Sequence, residues 1–80
     1  MDTTEEKVIS IVQSIVNDGN RESVVITASS EMGNPRAWDS LLFVEIFEEI
    51  GIEFSLDLSD DDAVHFMSIA EIVKFIVVNM

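Results

Sequence analysis

Asn34-Pro35-Arg36-Ala37-Trp38-Asp39-Ser40-Leu41-Leu42-Phe43-Val44-Glu45-Ile46-Phe47-Glu48-Glu49-Ile50-Gly51 is the stretch whose reading decides the fold. Asn34-Pro35 is loop chemistry, and Asp39 is the residue type that caps the orphan amides of a new helix. Trp38 and Phe43 stand at the N′ and N4 spacing of a hydrophobic staple. The pattern predicts a helix from Ser40 to about Ile50, with Gly51 ending it. Advancing 100° per residue from Ser40 places Glu48 at about 80°, Leu41 at about 100°, Glu45 at about 140° and Glu49 at about 180°. Phe43, Ile46, Phe47 and Ile50 fall between about 240° and 340°, which makes that side the core side. Leu41 therefore projects outward among carboxylates, beside a serine hydroxyl at the amide end of the helix. A single exposed leucine is common. An apolar anchor with an anionic rim is also a compact docking surface.

The flanking segments complete the plan. Val8, Ile9, Ile11, Val12, Ile15 and Val16 recur at helical spacing and predict a first helix over Glu5–Val16. Thr3 and Glu6 form a capping box before it, and Asp18-Gly19-Asn20 ends it. Residues 19–37 read as a long connection. Within it, Val24-Val25-Ile26 has strand composition, but so short a chain offers it no partner strand, so we read it as loop pinned by its apolar residues. Ser59-x-x-Asp62 caps a short helix through about Phe66. Ser68-x-x-Glu71 caps a last one reaching Val78, with the stripe Ile69, Ile72, Val73 and Ile76. The expected fold is all-α: a small four-helix bundle of three longer helices and one short one, forming a single domain over residues 1–80.

Sixteen acids stand against four bases, for a formal net charge of −12. Such a surface repels nucleic acid and anionic lipid, and its natural complement is a basic protein surface. The apolar fraction of 48% is too high for a disordered acidic tail. Without cysteine there is no disulfide and no thiolate chemistry, which suits a reducing cytosol. The start of the chain is polar and acidic, and no apolar run approaches the ~20 residues of a membrane span. We expect a cytoplasmic monomer with no nucleic-acid or membrane partner.

Asp39-Ser40-Leu41 with Glu45 five residues after the serine resembles the phosphopantetheine attachment motif of acyl carrier proteins and their peptidyl carrier relatives. The likeness extends to the acidic Glu48-Glu49-Ile50-Gly51-Ile52-Glu53-Phe54 and to Ser68-Ile69-Ala70-Glu71-Ile72-Val73, so it covers nearly the whole chain. Trp38 before the aspartate is similar to free-standing and peptidyl-type carriers. The resemblance implies a carrier rather than a catalyst. A phosphopantetheinyl transferase would attach a covalent 4′-phosphopantetheine arm to Ser40, beside Asp39. Acyl or aminoacyl cargo would ride on it as a thioester, and Leu41, Val44, Glu45, Glu48 and Glu49 would meet acyl-loading, acyl-transfer or synthase enzymes. Fatty acid, polyketide, peptide and envelope-acylation carriers share these features. One departure stands out. The family has about four more residues between Glu45 and Glu48-Glu49, close to one turn, which preserves helix phase but shortens the partner face and reshapes the pocket for an acyl chain.

The remaining candidates carry less. No histidine or lysine stands near Ser40 in sequence to act as its base, which argues against a serine hydrolase and leaves the base to a modifying enzyme. The single histidine, His65, could titrate near neutral pH, although a surface or half-buried histidine is the commoner case. The four aspartates from Asp57 to Asp62 fail the calcium-loop pattern, which needs glycine at the sixth position and glutamate at the twelfth where this chain has Asp62 and Ser68. Trp38 reads as a loop anchor, since Arg36 is too isolated a base for an aromatic nucleic-acid platform. The reading from a different class is an acidic helical adaptor that binds a partner through Leu41 and its acids, with no prosthetic group.

Overall fold

The computed structural model describes residues 3–18 and 24–79. The Gly19-Asn20 helix stop and the polar start at Met1-Asp2 lie outside the described residues. The chain forms α1 (Thr3–Asn17), α2 (Ser40–Glu53), a 3-10 helix (Asp60–His65) and α3 (Ile69–Asn79). Among the described residues there is no strand, only isolated bridges from Glu31 to Asn34 and to Ser68. The architecture is the expected all-α bundle.

The stripes read from the sequence are the ones that pack. Val8, Val12 and Val16 of α1, Ile46 and Ile50 of α2, and Ile69, Ile72 and Ile76 of α3 are fully buried, with Ile15 close behind. Trp38 and Phe66 join them from the connections. Removing each of these side chains from water contributes roughly 1.5 to 3 kcal/mol before the entropy of ordering is charged against it. Rings continue the core from α2 to α3 by way of Phe66 in the connection. Phe47 meets Phe66 edge-on at 4.8 Å, and Phe66 lies 5.3 Å from Phe75.

Two boundaries differ from the sequence reading. Thr3 is the first residue of α1 rather than a cap ahead of it. Gly51 does not end α2, which continues to Glu53. The stop is a Schellman arrangement: Leu56 N–H donates to the Gly51 carbonyl (2.9 Å) and Ser55 N–H to the Ile52 carbonyl (3.3 Å), with Ser55 left-handed at φ 54°. Gly51 answers to a different demand. A Cβ there would stand 3.0 Å from Leu58 Cδ1, so the missing side chain is what lets the returning segment lie against the helix.

The long connection is held by α1 as well as by burial. The Asn17 side-chain amide both accepts from Val24 N–H (2.7 Å) and donates to the Val24 carbonyl (3.1 Å), and Gln13 accepts from Ile26 N–H (3.0 Å). An extended segment without a partner strand thereby satisfies its backbone on helix side chains. Ile26 is buried beneath it. Further on, Met32 N–H donates to the Met67 carbonyl (2.8 Å) and Ile69 N–H to the Ser30 carbonyl (3.1 Å), tying the connection to the start of α3. At Gly33, φ is +92°, a conformation that favours glycine, and its N–H donates to the Trp38 carbonyl at 2.8 Å. That contact turns Trp38 into the core and delivers Asp39 to the head of α2.

Candidate functional site

Both Leu41 and Leu42 donate their N–H groups to Asp39 Oδ1 at 3.1 Å, so Asp39 caps α2 as its residue type suggests. Ser40 is the first helical residue and is exposed, and no hydrogen bond holds its hydroxyl among the described residues. A free hydroxyl on a rigid helix head, with buried Trp38 fixing the chain two residues earlier, is presented to whatever approaches from solvent. Among the described residues no histidine or lysine contact accompanies it that could raise its nucleophilicity.

The outward face of α2 is as the wheel predicts. Leu41 is 81% exposed and Val44 54% exposed, and Glu45, Glu48 and Glu49 are exposed with them. Sequence reasoning missed one member of this face. Ile52 is 72% exposed, and at about 120° from Ser40 it falls between Leu41 and Glu45 in projection. It went unseen because the predicted helix stopped at Gly51, and carrying the same wheel two residues further finds it. The face thus has an apolar residue near each end, separated by eleven residues or ~16 Å of helix, with carboxylates between. Beside Ile52 runs an open groove of about 400 Å³ lined by Phe47, Glu48, Gly51, Leu56, Asp57 and Leu58.

The geometry can be set beside known proteins. Over 76 residues the chain is 26% identical to the protein named "Acyl carrier protein" from Rickettsia typhi, and equally to those from Rickettsia prowazekii and Rickettsia massiliae, covering 95% of this chain and 88% of each relative. All three relatives carry the name acyl carrier protein. No family model matches the chain, and no solved structure does. The matched stretch covers all but a few residues of the chain, so the segment that bears Ser40 and α2 lies within it.

Other candidates fall elsewhere. His65 ends the 3-10 helix and stacks on Phe75 at 5.3 Å and 20°, exposed at one edge and packed at the other. With Phe75, Glu71, Lys74, Val78 and Asn79 it lines an open groove of about 460 Å³. Asp62 is used in capping, accepting from Ser59 N–H (3.0 Å) and the Ser59 hydroxyl (3.3 Å). Among the described residues no three acidic or histidine side chains converge as a cation site, and no helix is long and apolar enough to cross a membrane. Trp38 is interior, as the anchor reading requires, and its indole Nε1–H has no hydrogen-bond partner among the described residues.

Proposed function

We propose that this chain, as one carrier domain over residues 1–80, acts as an acyl carrier in the cytoplasm: Ser40 bears a 4′-phosphopantetheine arm, and acyl or aminoacyl cargo travels on its terminal thiol as a thioester. The observation that carries the reading is the free, exposed Ser40 hydroxyl at the head of an acid-faced α2, in a chain similar along nearly its whole length to acyl carrier proteins. The residues present suit the group. An arm on N1 of a capped helix starts from a fixed point and swings in solvent, and the arm supplies the thiol that this cysteine-free chain lacks.

In loading, the Ser40 oxygen attacks the phosphorus of coenzyme A that bears the pantetheine. The bond to the second phosphorus breaks, adenosine 3′,5′-bisphosphate leaves, and the hydroxyl proton passes to a base of the transferase. The chain contributes position, not proton transfer, since no basic side chain contacts Ser40 among the described residues. Leu41, Val44, Glu45, Glu48 and Glu49 form the face that a basic partner surface meets, and Ile52 extends it. Fatty acid, polyketide and peptide assembly enzymes all present partners of this kind, and the chain works with them as a monomer. Co-expression with a phosphopantetheinyl transferase tests the reading: the intact mass should rise by one phosphopantetheine. An unchanged mass would leave the acidic adaptor as the better description.

A further inference from the structure

Three of the amides at the head of α2 are already committed. Leu41 and Leu42 N–H donate to the Asp39 carboxylate at 3.1 Å each, and Phe43 N–H donates to the Asp39 carbonyl at 2.9 Å. A helix start with free amides is a ready anion site. Here a carboxylate has taken that place. A phosphodiester on Ser40 therefore brings a second anion next to Asp39, at the head of a helix carrying Glu45, Glu48 and Glu49, on a protein of net charge −12. Like charges this close repel, and the phosphodiester needs a cation that the helix itself does not provide.

One candidate stands within reach. From residue 24 to residue 53, Arg36 is the only lysine or arginine. It is exposed, and among the described residues it makes no ion pair or hydrogen bond. Its backbone, by contrast, is fixed. Trp38 N–H donates to the Pro35 carbonyl (3.1 Å), Gly33 N–H donates to the Trp38 carbonyl (2.8 Å), and the Trp38 side chain is fully buried. The turn bearing Arg36 is thus anchored to the core immediately before Asp39. Even fully extended, the four chain steps from Arg36 to Ser40 span no more than ~14 Å, and the turn shortens that, so a long side chain from Arg36 can meet a group projecting from Ser40. Guanidinium matches the geometry of two phosphate oxygens in a way no other side chain here does.

We infer that Arg36 is a positioning residue for the arm: resting on the carrier reading above, its guanidinium pairs with the phosphodiester that joins the arm to Ser40 and offsets the repulsion from Asp39. The consequence is a root that is oriented although the arm is free. Wild type, Arg36→Gln and Arg36→Lys should be prepared unloaded and fully loaded, with loading verified by intact mass. In wild type the Arg36 Nε–H resonance should move on loading. Arg36→Gln should leave the unloaded melting temperature within ~1 °C of wild type yet lower that of the loaded form by about 1 to 4 °C at low salt, a gap that closes as salt rises. Arg36→Lys should recover part of it. If the mass rises but the resonance stays put and Arg36→Gln affects both forms alike, the pairing is wrong and the carrier reading stands. If wild type gains no mass, both fall together.

Discussion

Single residues divide here into those that hold the head of α2 and those that offer it. Ser40 belongs to the second kind, since its hydroxyl makes no hydrogen bond among the described residues. Ser40→Ala should leave the helical circular dichroism and melting temperature unchanged while abolishing transferase loading, and a loaded Ser40→Ala protein would remove the central site. Asp39 belongs to the first kind. Asp39→Ala gives up both side-chain cap bonds and should cost about 0.5 to 2 kcal/mol, read as a lower urea midpoint with an unaltered slope. The apolar residues of the face should matter more to a partner than any one acid. An exposed ion pair contributes only ~0.2 to 1 kcal/mol, whereas an exposed leucine entering a pocket can be worth ~1 to 2 kcal/mol. Leu41→Ala should therefore weaken the complex with a transferase at every salt concentration, and Ile52→Ala should do so for partners long enough to reach the far end of α2. A titration in which Glu45→Ala costs more than Leu41→Ala would reverse that ranking.

At the scale of elements, what the sequence made legible and what it hid have the same cause. Periodicity names the buried face of a helix because one stripe must leave water, and in α1, α2 and α3 the isoleucines and valines at those positions are the buried ones. Ends are harder, because they depend on where the chain goes next. Gly51 has the composition of a stop but sits inside α2, where its lack of a side chain admits Leu58, while the stop itself uses Ser55 in a left-handed conformation that serine rarely signals. That misplaced end hid Ile52. The pinning of Val24–Ile26 by Gln13 and Asn17 was hidden too, since two polar residues on an amphipathic helix read as solvent-facing until a second segment is laid across them. The stop is open to test. Ser55→Gly removes the steric cost of the left-handed backbone at the expense of a more flexible unfolded chain, and should raise the melting temperature by about 2 to 5 °C. A fall would mean that the serine side chain contributes more than its backbone strain costs.

Across the whole molecule, one charge distribution should produce two salt responses of opposite sign. The protein measures 35 × 29 × 18 Å, so its carboxylates lie within a few Debye lengths of one another, ~10 Å each at 0.1 M salt. Among the described residues no ion pair relieves them: Lys7 lies over the Phe54 ring at 6.0 Å, and Arg36 and Lys74 pair with no acid. Nine acids and no base from Asp39 to Asp62, apart from His65 just beyond, concentrate the repulsion on α2 and the 3-10 helix. Unfolding moves these charges apart, so screening should favour the folded state and the melting temperature should climb between low salt and ~0.1 M. The same screening removes the long-range attraction that draws a basic partner to α2. Transferase loading should slow over the salt range in which stability rises, and Glu45→Lys with Glu48→Lys should slow it roughly tenfold at low salt and little at high salt. Magnesium chloride distinguishes screening from a bound ion. Since no three carboxylates converge among the described residues, magnesium and sodium at matched ionic strength should stabilise to similar extents. A melting temperature that ignores salt, or a double reversal that loads as fast as wild type, would show that the acids of α2 shape neither the stability of the fold nor the approach of its partner.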